Sequence, residues 1–178
     1  METKKSQTCC FIGHRNIVET EELKNKLISV IENLIENKKA DTFLFGSKSN
    51  FDDLCYDVVT LLKQQKYPHI KRIYVRAEFP YINDDYKAFL LQSYEDTYYP
   101  EKMINAGKAA YVERNCHMID NSSFCVVYYD ESYAPPKRKN SSASASKYQP
   151  KSGTRLACNY AKKRGVEIIN IHFDTAFC

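Results

Sequence analysis

No apolar run in this sequence approaches the roughly 20 residues needed to cross a bilayer, and the opening Met1-Glu2-Thr3-Lys4-Lys5-Ser6 lacks the apolar core of a signal peptide. A soluble, cytoplasmic protein is the expectation. The seven cysteines, at 9, 10, 55, 116, 125, 158 and 178, include no C-x-x-C pair and are odd in number. That pattern fits a reduced chain better than a disulfide scaffold. Neither the cysteines nor the four histidines show metal-ligand spacing, so no metal site is expected. There is no internal repeat. Acidic residues are absent between Pro135 and Lys151, where Lys137, Arg138, Lys139, Lys147 and Lys151 fall; removing these five cations from the net charge of +4 leaves −1. The basic character therefore belongs to one loop and not to a general nucleic-acid-binding face.

What remains is ordinary globular composition, 43% hydrophobic and 27% charged in 178 residues, enough for one domain spanning 1–178 with a real core. The Ser-rich run 141–146 inside the basic 135–151 loop cannot build a core, and that loop is expected to be mobile.

Strands and helices alternate along the chain. Thr8 to Ile12 reads as a first strand, and Thr20 caps a helix carrying Leu23, Leu27, Val30, Ile31, Leu34 and Ile35 at helical spacing. Thr42 to Phe45 is a second strand, followed by a helix with Phe51, Leu54, Cys55, Val58 and Leu62 on one face. Ile70 to Val75 is a third. The tyrosine-rich, acidic stretch 78–100 reads as a loop with a helical portion near Tyr86 to Tyr94. A helix with its apolar stripe at Ala109, Val112, Cys116 and Ile119 leads to a fourth strand over 123–128. A last helix turns Leu156, Ala157, Tyr160 and Ala161 inward, ends at Gly165 and feeds a fifth strand over 167–171. This order predicts an α/β protein, a Rossmann-like three-layer α/β/α sandwich with a mainly parallel sheet of about five strands.

Three phrases stand where such a sheet would gather them: Gly13-His14-Arg15 after the first strand, Gly46-Ser47 with Asp52 after the second, and Ser152-Gly153-Thr154 opening the last helix. Backbone amides at strand ends and helix N-termini attract anions, and glycines let a ligand come close. His14 reads as a neutral hydrogen-bonding group, a cation beside phosphate, or a structural residue. Asp52 suits a ribose hydroxyl or the helix dipole equally. Arg114 lies opposite the expected apolar stripe of its helix, facing solvent or a pocket. Tyr81, Tyr86, Tyr94, Tyr98 and Tyr99 are candidates for base stacking or a subunit contact.

These phrases, together with Tyr111-Val112-Glu113-Arg114-Asn115, Met118-Ile119-Asp120 and Tyr160-Ala161, occur in an order that resembles the YpsA-like branch of the SLOG superfamily, a bacterial and phage group, over about residues 8–171. The resemblance implies a modified Rossmann fold that binds or senses a nucleotide or an NAD-derived molecule at its strand ends, with a homodimer as a fair expectation. It implies no required cofactor. Relatives include the LOG phosphoribohydrolases and the single-strand DNA-binding DprA proteins. The LOG pattern P-G-G-x-G-T-x-x-E is matched here at Gly153 and Thr154, while Ala157 replaces its glutamate, and Arg114 matches its helix arginine. Glycosidic hydrolysis needs a carboxylate, so no catalytic residue is assigned and ligand binding is the leading expectation. Two alternatives remain open: hydrolysis with a carboxylate recruited from Glu78 or Glu113, and single-stranded nucleic-acid binding through the basic loop.

Overall fold

Short runs of β-branched and aromatic residues that are hydrophobic on both faces require cover on both sides, and parallel strands with crossover helices supply it. The computed structural model describes residues 7–77, 83–101, 109–133 and 152–172; the 135–151 loop, Glu78 and Tyr81 lie outside them. Within these residues the order is β1 (Thr8–Gly13), α1 (Glu21–Glu36), β2 (Thr42–Phe45), α2 (Asn50–Gln65), β3 (Lys71–Val75), α3 (Asp84–Leu90), β4 (Asp96–Tyr98), α4 (Ala110–Asp120), β5 (Phe124–Tyr128), α5 (Gly153–Arg164) and β6 (Glu167–Asn170).

The strands form one sheet in the order β4-β3-β2-β1-β5-β6, with every pairing parallel. The Rossmann-like three-layer expectation holds. Alternate side chains divide between the two faces, as the two-residue strand period demands. Cys9, Phe11, Phe43 and Phe45 pack with Leu27 and Ile31 of α1 and Val58 and Val59 of α2. Cys10, Ile12, Leu44 and Val127 pack with Met118 and Ile119 of α4 and Ala157 and Ala161 of α5. The chain steps outward from β1 to β4 and then crosses back to place β5 on the other side of β1. Strand order therefore reverses at β1, and the carboxyl ends of β1 and β5 border a crevice.

Three expectations need correction. The sheet has six strands among the described residues, not about five. The extra one, β4, lies inside the stretch read as a loop, because an edge strand of three residues carries too little apolar pattern to be seen. It is held by polar contacts: Thr97 Oγ1 donates to the Tyr74 carbonyl at 2.8 Å, and Arg72 donates through Nη2 and Nε to the Glu95 carboxylate at 2.7 and 3.1 Å. On α4 the buried residues are Ala110, Arg114, Met118 and Ile119, while Ala109 and Val112 are exposed. The inward stripe is thus turned about one residue from the expected one, with an arginine at its centre. On α5, Leu156 is exposed; Ala157 and Ala161 face the core.

Gly13 ends β1 because α2 comes too close for any side chain. A Cβ there would lie 2.2 Å from Phe51 Cδ1 and 2.8 Å from Phe51 Cβ, and Phe51 is fully buried. Gly13→Ala is expected to destabilise the fold by about 1–3 kcal/mol, the usual cost of overpacking a filled core. Urea denaturation measures this, and an unchanged midpoint would show that Phe51 is free to move aside.

Candidate functional site

At the carboxyl ends of β1 and β5 the loops enclose a cleft of about 540 Å³, within the range typical of small-molecule sites. The three phrases singled out from sequence meet there. Gly13, His14 and Arg15 form one wall, Ser47 another, and Ser152, Gly153 and Thr154 a third, with Arg114 at its edge. Residues separated by more than a hundred positions are joined because the reversal at β1 puts these turns on a common rim. Sequence reading missed Lys48, Tyr111, Asn115 and Tyr133, which also line the cleft. The described lining carries three cations, Arg15, Lys48 and Arg114, and no carboxylate.

The α5 wall is built by its cap. Ser152 Oγ accepts from the Arg155 amide at 3.1 Å, and its carbonyl accepts from Leu156 at 3.1 Å. This leaves the amides of Gly153 and Thr154, in the first turn, without a partner inside the helix. A Cβ on Gly153 would meet nothing within 4 Å among the described residues, which leave space open beside those amides.

His14 is not the cation that an anion would seek. Its ring is buried and stacked on Tyr133 with centroids 3.9 Å apart, and Nε2 accepts from the Asp130 amide at 2.9 Å. That bond requires a lone pair on Nε2, so the neutral ring carries its proton on Nδ1. Burial pulls the pKa below the ordinary histidine value, against the partly offsetting Asp130 backbone and carboxylate. Nδ1 is buried and has no hydrogen-bond partner among the described residues. His14 therefore ties the β1 loop to the β5 loop, and Arg15, exposed beside it, is the cation of the phrase.

Gly46 and Asp52 lie behind the cleft and do not line it. Arg114 Nη1 donates to the Gly46 carbonyl, and Arg114 Nε donates to Asn115 Oδ1 at 3.1 Å. A Cβ on Gly46 would sit 2.6 Å from Arg114 Cδ, so glycine is required for the arginine to lie against this turn. The backbone of Gly46 and Ser47 faces the Asp52 carboxyl group, whose Oδ1 is buried with no hydrogen-bond partner among the described residues. Asp52 is fully enclosed, and burial pushes its carboxyl up to about 8 although Arg114 and the two amides favour the charged form. It lies in the first turn of α2 and not at the cleft surface.

The remaining candidates divide. Tyr94 belongs to an aromatic cluster with Phe45, Tyr56 and Tyr74, and Tyr98 pairs with His117 at 3.0 Å; neither is a free stacking platform. Tyr86 lines a small pocket of about 20 Å³ beside the cleft, together with Gly46, Lys48, Tyr74, Arg76, Ala77, Tyr111 and Arg114. Arg76 was not foreseen; an arginine directly after an apolar strand was the only signal. Ala157, at the position of the LOG glutamate, is packed in the core, and Glu113 is exposed and outside the cleft.

No protein-family model matches the chain. It is similar to the uncharacterized SPbeta prophage-derived protein YoqJ of Bacillus subtilis (strain 168), at 32% identity over 176 residues that cover 87% of this chain and 90% of that protein. No helix among the described residues is long and apolar enough to cross a membrane.

The raised Asp52 pKa has a definite sign. The folded state holds this proton where the unfolded chain, titrating near 4, has released it, so stability falls as pH rises from about 4 to 8. The slope due to this one group is at most about 1.4 kcal/mol per pH unit. Asp52→Asn is expected to flatten the stability profile across that window. Parallel profiles for the two proteins in urea melts from pH 4.5 to 8.5 would show that Asp52 is ionised throughout.

Proposed function

The chain belongs to the family of the SPbeta prophage-derived protein YoqJ, and we propose that it is a SLOG-type, YpsA-like domain that binds a nucleotide or nucleotide-derived phosphorylated molecule in its cleft. The observation that carries this reading is the convergence of three distant turns on one crevice whose described lining has three cations and no carboxylate. Its place where strand order reverses is the usual ligand position in open α/β sheets.

Gly153 strengthens the case. Gly13 and Gly46 are required by protein atoms, Phe51 and Arg114 respectively, whereas no atom of the described residues lies within 4 Å of where a Cβ on Gly153 would be. Glycine there preserves access to the free amides of the α5 start, where a phosphoryl group gains both hydrogen bonds and the helix dipole. Arg15 and Lys48 attract and neutralise the same charge from the rim, and Arg114 does so from below. The ribose or base lies against Tyr111 and Tyr133, both on the cleft wall.

Glycosidic hydrolysis is the weaker reading. A general acid or base must come within hydrogen-bond reach of the reacting atoms. Ala157 has no carboxylate and faces the core, and Glu113 lies outside the cleft.

Calorimetry with AMP and GMP on the full chain tests binding. Arg15→Ala is expected to weaken nucleotide affinity about tenfold, the scale of one charge-assisted contact, and to leave folding unchanged because Arg15 is exposed. Unchanged affinity would remove Arg15 from the site. Failure of both nucleotides to bind, with no small molecule found by mass spectrometry of the native protein, would overturn the reading. Incubation of AMP with the protein is expected to release no free adenine.

A further inference from the structure

Arg76 follows directly on β3 and is only 7% exposed. Its amide continues the ladder by donating to the Tyr98 carbonyl at 2.9 Å, but Nε and Nη1 of its side chain are buried with no hydrogen-bond partner among the described residues. Arg72, four residues earlier, makes the contrast: it is met by the Glu95 carboxylate at 2.7 Å and by Thr60 Oγ1 at 2.8 Å. Arg76 has no carboxylate among the described residues. A guanidinium keeps its charge in a protein, and leaving one buried and uncompensated is costly.

The surroundings add positive charge. Arg76 lines the small pocket together with Arg114 and Lys48, beside the hydroxyl-bearing rings of Tyr74, Tyr86 and Tyr111, and no carboxylate is among its described lining. Lys48, Tyr111 and Arg114 line both this pocket and the large cleft, so the two are contiguous. The pocket's volume of about 20 Å³ accommodates about one water-sized group. It can admit the terminal oxygen of a group entering from the cleft, and not a base or sugar.

We propose that Arg76 forms the floor of a second anion subsite, which takes the further phosphoryl group of a ligand whose first phosphoryl group sits at Gly153 and Thr154. The ligand class is then a nucleotide carrying a diphosphate rather than a monophosphate. This rests on the cleft reading above and deepens it. The bound phosphoryl supplies the counter-charge that the chain itself withholds from Arg76, and charge-assisted hydrogen bonds from a buried guanidinium are among the stronger ones.

The test compares AMP and ADP by calorimetry and thermal shift, on the native chain and on Arg76→Met. The native chain is expected to bind ADP at least about tenfold tighter than AMP, the ratio one charge-assisted contact supplies. Arg76→Met is expected to abolish that preference while retaining AMP affinity. The unliganded variant is expected to melt no lower than the native chain, because it loses a charge that nothing compensates. Equal binding of AMP and ADP by the native chain, a reading that needs no variant, overturns the subsite alone. An undiminished ADP preference in Arg76→Met, or a fall of several degrees in its unliganded melting temperature, overturns the role of Arg76. Failure of both nucleotides to bind the native chain overturns the cleft reading itself, and the subsite with it.

Discussion

The contact on which the site depends is the seating of Arg114 against the carbonyl of Gly46. The arginine starts on α4, in the layer on one side of the sheet; Gly46 follows β2, in the middle of it; and Asp52, whose side chain feels the Arg114 charge, starts on α2 in the opposite layer. One guanidinium thus links all three layers at the end where the loops gather. Burying it is tolerable because a carbonyl and an amide oxygen accept its protons, while the absent side chain of Gly46 gives it room. The same seating sets the rotation of α4, turning Tyr111 and Asn115 to the cleft and leaving Val112 exposed.

The opposite rim is held differently. There His14, neutral and stacked on Tyr133, accepts the Asp130 amide and so fastens the β1 loop to the β5 loop. Asp130 in turn accepts from the amide and hydroxyl of Ser132 at 2.8 and 2.6 Å, which shapes the turn that carries Tyr133. A charged contact on one side and a neutral one on the other keep the walls apart at a fixed spacing. Neither draws on the α5 amides or on the side chain of Arg15.

Much of this frame was legible in the sequence, because buried parallel strands and amphipathic helices write their periods openly. β1, β2, β3, β5 and β6 follow from apolar runs, and the caps of Thr20 and Ser152 follow from residue type. The gathering of residues 13–15, 47 and 152–154 followed once the strands were taken as parallel. What escaped notice was polar and buried. β4 is fixed by Thr97 and Glu95 instead of an apolar pattern, and Arg114, placed by helical spacing opposite the apolar stripe and facing solvent or a pocket, lines the cleft but is also buried. Gly46 and Ser47 were read as a ligand loop; Ser47 does line the cleft, whereas Gly46 lies behind it and gives its carbonyl to Arg114, 68 positions away, a pairing that sequence spacing does not reveal. Arg76 carries no sequence signal of burial, since an arginine just past an apolar strand is ordinarily solvated, yet it is 7% exposed.

These positions form a gradient of depth. Arg15 and Lys48 are exposed at the rim, while Arg114 and Arg76 are buried below, at 4% and 7% exposure. Positive charge in a recess walled by low-dielectric protein focuses its field outward through the opening, so anions are concentrated there before any contact forms. The deeper charges contribute little to that capture but gain most from occupancy, since desolvation strengthens each interaction they make. For Arg114 the chain provides acceptors of its own; for Arg76 it provides none among the described residues. If the subsite proposed above takes an anion, that anion stabilises the fold by mass action. On that proposal, Arg76 couples the stability of the strand ends to the filling of the cleft they build.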